Sequence, residues 1–463
     1  MMRTDHLFET ISNTRRAVQD VTENTGSAAL MFSIIHLLTH LRVRDEPKSA
    51  CFPHCTHCIN LCLPPRNLSR IWMGNRGSHI HFKEAILMNK NHQPIRVGII
   101  GAGLNGAWGG RAHIPALKAL PEFMVTAVGA SRQSSAEASA NHFGIRHAFS
   151  DPLELALHPE VDLVTVSVRV PEHDRLIRAA LQAGKHVYSE FPLGRTTAES
   201  ARLLQAAQEQ GVRHFVGLQS RANPVVRYVR ELLAEGYVGD VLAVHVNYAV
   251  PVYPIRSKQI DQSHVYMLDD ANGANQLTIA GGHLLDGIMY LLGPFSEISA
   301  ILKTQAQQVL VEETGEMIHA SAPDHVVVSG KLPGDAVFSS QIRNAHAGNF
   351  LIEINGTKGD LQIRSRQNFM FQIDDLTVLG TQGDGELKEL PLPDYILQPP
   401  VGLIGTAAYN VAGIYQQIHR DLANHTHEAP DFQTALAIHE LLDQVRKAGE
   451  TGTVLTMKKT ETV

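Results

Sequence analysis

The apolar run Val97-Gly-Ile-Ile100 breaks directly into Gly101-x-Gly103-x-x-Gly106, and no other stretch limits the fold as strongly. A short apolar run that stops at glycines reads as a buried parallel strand feeding a tight turn. Each glycine has its own expected task. Gly101 permits the turn, Gly103 lets backbone approach a pyrophosphate, and Gly106 lets the following helix pack close to the strand. With Leu104 and Asn105 they form a loop whose N–H groups, at a helix N-terminus, favour an anion.

The context supports a dinucleotide site. A helical stretch (Ile114 to Ala119) and a second strand (Met124 to Val128) follow, and β and α segments then alternate to residue 219. This pattern predicts an α/β, N-terminal Rossmann domain over 94–221. The second strand ends without the acidic residue that would bind a ribose 2′-hydroxyl. Ser131 and Arg132 stand there instead and suit a 2′-phosphate, which favours NADP over NAD; a solvated arginine is the plain alternative. Strands Val161 to Val168, Lys185 to Ser189 and His214 to Gln219 complete the half. Ligands bind off the carboxyl ends of such strands. Val168, Pro171, His173, Glu190, Phe191, Gln219 and Arg221 are therefore expected at the cofactor. Thr196 and Glu199 have the spacing of a capping box for the helix between the last two strands.

Residues 222–456 read as a C-terminal α+β domain, for substrate and dimerisation, with a large mostly antiparallel sheet. Strands are expected at Val241 to Val250, Ile298 to Leu302, His325 to Leu332, Ala336 to Ile342, Phe350 to Ile354, Leu361 to Ile363 and Phe369 to Ile373. Gly356-Thr-Lys-Gly359 reads as a hairpin turn, and Gly380 to Pro400 as a polar loop. Helices are expected at Pro224 to Glu235, Leu277 to Leu292, Tyr409 to Leu422 and Thr434 to Arg446.

Residues 1–93 differ in character and are expected to be an extension, disordered or outside the working protein, with Met88 a possible true start. All four cysteines lie there, at Cys51, Cys55, Cys58 and Cys62, with His54 and His57 between them. Ligands at this density could hold zinc, and the first three cysteines have the spacing of an iron–sulfur loop, but structural zinc sites usually place two ligand pairs farther apart and no barrel for radical chemistry follows, so no metal is expected. The absence of cysteine from Asn89 onward suits a reducing compartment, so a cytoplasmic location is expected. The net charge of −6 over 463 residues, without a basic run, gives no case for nucleic acid. Ala28 to Leu41 is too short to span a bilayer, so no membrane partner is expected.

Val168-Arg-Val-Pro-Glu-His173, Leu218-Gln-Ser-Arg221, Ala322-Pro-Asp-His325 and Asn355-Gly-Thr-Lys-Gly-Asp-Leu361, set behind the glycine loop, resemble the Gfo/Idh/MocA oxidoreductase family. Within it they look nearest to the galactose/lactose-pathway repressors of yeasts. The resemblance implies a Glu-Lys-Pro signature whose lysine moves a proton while hydride passes to or from a nicotinamide. Here Glu190 and Pro192 match, but Phe191 replaces the lysine. It also implies an aspartate four residues before a histidine on a helix of the second half; here these are Ile279 and His283. The repressors share the aromatic departure at the lysine position.

Three readings follow. The first, which fold-level priors favour and which is the expected function, is an NAD(P)-dependent oxidoreductase acting on a sugar-like or other carbonyl or hydroxyl small-molecule substrate. His283 is then the surviving proton carrier, with Tyr253 and Lys258 as further catalytic candidates and Asp286 as a group that orients His283. The second is a non-catalytic NAD(P)-sensing transcriptional regulator that binds a protein partner, in the cytoplasm or nucleus. The third is a dinucleotide-dependent lyase or hydrolase. The plain readings are a surface or pocket-wall residue for each of Tyr248, Tyr253 and Lys258, a satisfied helix histidine for His283 and a solvated carboxylate for Asp286. The resemblance also implies a homo-oligomer.

Overall fold

The computed structural model describes residues 93–104, 106–250, 258–367, 370–397 and 400–457. The four cysteines, Met88, Asn105 and Tyr253 lie outside the described residues.

The first half is a six-stranded parallel sheet: β1 (Ile95–Ile100), β2 (Phe123–Gly129), β3 (His147–Phe149), β4 (Leu163–Val166), β5 (His186–Glu190) and β6 (His214–Gly217). Their order is β3-β2-β1-β4-β5-β6, so the strand order reverses between the parallel neighbours β1 and β4. That is the crevice where a doubly wound sheet accepts a ligand. β4 is wholly buried, with helices on both faces, as its continuous apolar sequence requires. The helices are α1 (Ile114–Lys118), α2 (Gln133–Phe143), α3 (Pro152–Leu157), α4 (His173–Gln182) and α5 (Thr197–Gln210). At α5 the expected capping box forms only in part. Thr196 Oγ1 accepts from Glu199 N at 3.1 Å, but the buried Glu199 carboxylate accepts from Arg195 N at 2.6 Å rather than from Thr196 N. The Arg195 guanidinium holds it there, competing with the box.

In the second half, α6 (Pro224–Ala234) leads into a nine-stranded sheet of order β17-β16-β15-β14-β7-β13-β12-β9-β18. Its strands are β7 (Val241–Val250), β9 (Glu297–Lys303), β12 (His325–Lys331), β13 (Val337–Asn344), β14 (Asn349–Gly356), β15 (Gly359–Ser365), β16 (Leu376–Gln382), β17 (Lys388–Glu389) and β18 (Leu455–Thr456). Only β7 and β13 pair in parallel; every other neighbour is antiparallel. A separate small sheet joins β8 (Gln259–Ile260), β10 (Gln308–Val311) and β11 (Met317–His319). Alternation along the strands buries Val244, Val246, Val326, Val328, Ile342, Ile352 and Ile354 in one core under α6, α7 (Gly282–Leu292) and α9 (Phe432–Thr451). Each such side chain contributes about 1.5–3 kcal/mol. α8 (Ala408–Asn424) returns to the first sheet, where Val411, Ile414 and Tyr415 pack with Val97, Ile99 and Tyr188.

One expected strand does not form. Residues 370–373 of the predicted strand Phe369 to Ile373 lie in a turn, and Phe369 itself lies outside the described residues. The Phe371 ring stacks on Phe350 at 4.9 Å, and Phe371 N donates to Tyr248 Oη at 3.1 Å. The apolar residues of this segment are thus buried by a turn plugged into the core. The sheet continues with β16, whose Gly380 pairs with Leu361 inside what reads as a loop.

Candidate dinucleotide cleft

The loop after β1 is pressed against the end of β4. Gly101 has φ +103°, and a Cβ there would lie 2.1 Å from Ser167 O and 2.8 Å from Val168 Cγ1. No other residue type is admissible. Gly106 does not perform the packing expected of it. Its φ is +73° and nothing lies within 4 Å of its Cβ position, so it serves the turn. The close approach belongs to Gly109, whose Cβ would sit 2.7 Å from Gly101 O. Leu104 is exposed at the loop tip. Ser131 and Arg132 are exposed at the end of β2, and the Arg132 side chain makes no cap hydrogen bond to α2.

Several buried polar atoms at the carboxyl ends of the strands have no hydrogen-bond partner among the described residues. They are Ser167 Oγ after β4, Gln219 Oε1 and Ser220 Oγ after β6, and His283 Nδ1 on α7. Buried polar groups are normally satisfied, so these atoms are candidates for contact with a polar ligand. The glycine loop, the reversal at β1 and β4, and these atoms together fit a dinucleotide.

Beneath the cleft lies a chain of polar contacts that sequence reasoning missed. His113 is fully buried, with Nδ1 2.9 Å from Tyr415 Oη, which is itself 3.0 Å from Thr165 Oγ1. His113 Nε2 lies 3.0 Å from Glu190 Oε1, at ion-pair distance but without hydrogen-bond alignment. Gln219 Nε2 donates to both Glu190 oxygens, at 3.0 and 2.8 Å. Burial pushes the Glu190 carboxyl up, but His113 and Gln219 outweigh it and hold the group below its ordinary range. Glu190 is therefore a fixed anion in the floor of the cleft. Tyr415 is 302 residues from His113, and no local pattern links the two.

Phe191 fills the lysine position completely. It is 5% exposed, with its ring centroid 5.4 Å from His283 and 5.5 Å from His439. The slot exists because residue 282 is glycine; a Cβ there would lie 2.5 Å from Phe191 Cε1. Desolvation drives His283 down to about 4, against a smaller upward pull from Glu190. His283 is thus a neutral, buried imidazole with one unpartnered nitrogen, not the satisfied helix histidine of the plain reading. Asp286 does not orient it. The Asp286 carboxylate is bound by Arg221, through Nε at 3.1 Å to both oxygens and Nη2 at 2.6 Å. Burial drives the carboxyl up, while Asp286 holds the guanidinium above its ordinary value. As an ionised pair, Arg221 donates through Nε and Nη2 to both carboxylate oxygens.

Other candidates are engaged elsewhere. His173 is buried with Nε2 3.1 Å from Val168 O and Nδ1 3.3 Å from Leu193 O, so it ties two loops together and keeps no free nitrogen for a cofactor. Pro171 is half-buried in the short turn Val170–Glu172. Tyr248 lies wholly in the core under Phe371. Lys258 stands away from His283 and Phe191, lining a separate cavity with His325 and Arg343. Arg169, just past β4, lies over the Tyr266 ring at 4.9 Å and links the two halves.

Residues 95–218 match the pattern of the oxidoreductase family with NAD-binding Rossmann fold, and residues 224–365 that of the Gal80p C-terminal domain. The chain is 33% identical over 283 residues to dehydrogenase aclE of Aspergillus oryzae, covering 58% of this chain and 76% of that one. It belongs to the Gfo/Idh/MocA oxidoreductase family. The galactose/lactose metabolism regulatory protein GAL80 of Kluyveromyces lactis is 27% identical over 305 residues, 60% of this chain and 65% of the relative. A structure of levoglucosan dehydrogenase in complex with NADH and levoglucosan superposes with TM-score 0.66 at 21% identity, over 79% of this chain and all of that one. At that identity it speaks to the fold alone. Dehydrogenases and regulators thus both occur among the relatives in this family.

Proposed function

We propose that this chain is a dinucleotide-binding member of the family that lacks the usual proton relay and acts as an NAD(P)-responsive regulator of a protein partner. The observation that carries the reading is Phe191, buried in a slot that Gly282 leaves open. A nicotinamide supplies hydride exchange when bound, but the chain itself must move a proton. A phenyl ring moves none, Ile279 moves none, and Glu190 is already held as an anion. Ser131 and Arg132 favour NADP over NAD, since an exposed serine and guanidinium suit a 2′-phosphate.

NADPH and NADH are titrated by fluorescence, and a panel of aldoses, ketoses and simple carbonyls is then added. Saturable binding without substrate-dependent decay is expected. Decay of the signal with any substrate overturns the regulator reading, and no binding at all overturns the dinucleotide cleft.

One observation favours a second reading, an oxidoreductase on a sugar-like or other hydroxyl substrate. His283 Nδ1 is unpartnered and the ring is neutral at pH 7, so it can accept a proton although it is a poor donor. On this reading His283→Ala lowers turnover by about 10²–10⁴ with cofactor affinity kept.

A further inference from the structure

The rim of the nine-stranded sheet carries basic residues that the dinucleotide reading leaves unused. His325, which opens β12, stands in register with Lys303 of β9 on one side and Arg343 of β13 on the other. Their neighbours Val326 and Ile342 are buried under the helices, so by the period of two this basic row lies on the outer face. Arg343 Nη1 donates to Asn247 Oδ1 on the same face at 3.1 Å. Among the described residues no carboxylate lies at ion-pair distance from Arg343, Lys303 or Lys258. Lys303 and Arg343 are thus two cations on one face, with the His325 strand between them, and neither has a described carboxylate partner.

Lys258 joins it from the other side. It has φ +55°, left-handed for a non-glycine residue, and is fixed there because its carbonyl accepts from Leu310 N at 2.8 Å. Strain of this kind marks places where geometry matters more than local preference. Asp324, the one acid in the wall, is buried and its oxygens accept from Gln305 N and Ala306 N at 2.9 and 2.8 Å. It closes a loop and is ion-paired to neither cation, which leaves the wall with two cations and one carboxylate. Gln305 and Gln341 flank the two His325 ring nitrogens at 3.2 and 3.0 Å, so the ring is held. Lys258, Gln305, Asp324, His325, Arg343 and His346 line a cavity of about 340 Å³. That volume suits a small molecule.

We propose that this cavity binds a small metabolite through an oxyanion, a carboxylate or a phosphate ester, held by Arg343 and Lys258. The guanidinium offers a planar fork for two oxygens and the ammonium a point charge. The inference does not depend on the proposed function, because none of Phe191, Glu190 and His283 lines the cavity.

Calorimetric titration of the full chain with inorganic phosphate, and separately with succinate, tests it. Low ionic strength keeps partly exposed charges from being screened. Saturable binding of at least one anion is expected, weakened roughly tenfold to a hundredfold by Arg343→Met and by Lys258→Met. An unchanged denaturant midpoint in both variants serves as the folding control. The stronger of the two anions identifies the oxyanion class. Absence of saturable binding, binding that survives both variants, or phosphate binding displaced by NADPH each overturns the proposal. Loss of self-association in Arg343→Met without any anion binding assigns the face to a second copy, and that too overturns it.

Discussion

Gly282→Ala tests the claim that Phe191 and Gly282 form one packed unit. The added methyl would lie 2.5 Å from Phe191 Cε1 and 3.0 Å from Cζ, whereas ordinary contact begins near 3.4 Å. The ring must therefore move by about 1 Å, and it is enclosed by His283 and His439. Overpacking of this kind costs about 1–3 kcal/mol, offset by up to about 1 kcal/mol for replacing a helical glycine. Net destabilisation of about 1–2 kcal/mol is expected. Phe191→Leu alone opens space, and in combination with Gly282→Ala it should absorb the methyl. Guanidinium unfolding of the wild type, both single variants and the double variant gives the coupling energy. A favourable coupling of about 1 kcal/mol or more is expected. Additivity within about 0.5 kcal/mol would falsify the packed-unit argument, because independent sites add to that precision.

Three further predictions follow from the same core. His283 and His439 both have depressed values, about 4, because burial disfavours the cation. The unfolded chain binds more protons between about pH 6.5 and 4, so stability is full above that window and falls through it with acid, by roughly 3 kcal/mol per histidine; His439→Gln should flatten the acid limb of the stability profile by up to one proton, and an unchanged slope counts against the burial argument. Arg221→Met leaves Asp286 uncompensated and should cost about 3–5 kcal/mol in denaturant unfolding, most of it recovered in the double variant with Asp286→Leu; a loss below about 1 kcal/mol would mean the pair is solvated. Arg132→Ala should weaken NADPH binding roughly tenfold or more while leaving NADH binding nearly unchanged, and an equal effect on both cofactors removes Arg132 from the 2′-position.

Period and punctuation made the fold legible. The buried run Val97 to Ile100, the alternation of Val241 to Val250 and the Gly356-Thr-Lys-Gly359 turn each carry their structure in local spacing, and the corresponding elements form. The failures arise where tertiary contacts override local pattern. Phe371 and Ile373 look like strand residues but bury themselves in a turn, because Gly287 leaves a niche for the Phe371 ring. Glu199 has the spacing for a capping box but is held by the neighbouring Arg195. His113 and Tyr415 gave no signal, because a contact across 302 residues has no period. Gly106 and Gly109 show a subtler limit. Both glycines are visible in the sequence, but only the course of the backbone decides which one allows the close approach.

Phe191 illustrates how a departure from a family pattern acquires meaning. Read alone, it is a missing lysine, a single loss that one substitution would reverse. In the structure it has a counterpart in Gly282, and the ring occupies a slot bounded by two neutral histidines. The floor below is meanwhile kept charged, with Glu190 held by His113 and Gln219 rather than balanced by an ammonium group. A lysine restored at position 191 would enter a space shaped for a flat ring and would carry its charge into surroundings that already disfavour two protonated imidazoles. Burial lowers a lysine for the same reason it lowers these histidines, and only Glu190 would oppose that. On the proposed regulator reading the site is organised around the absence of the family lysine, and this organisation, more than the identity of any single residue, separates a rebuilt cleft from a damaged one.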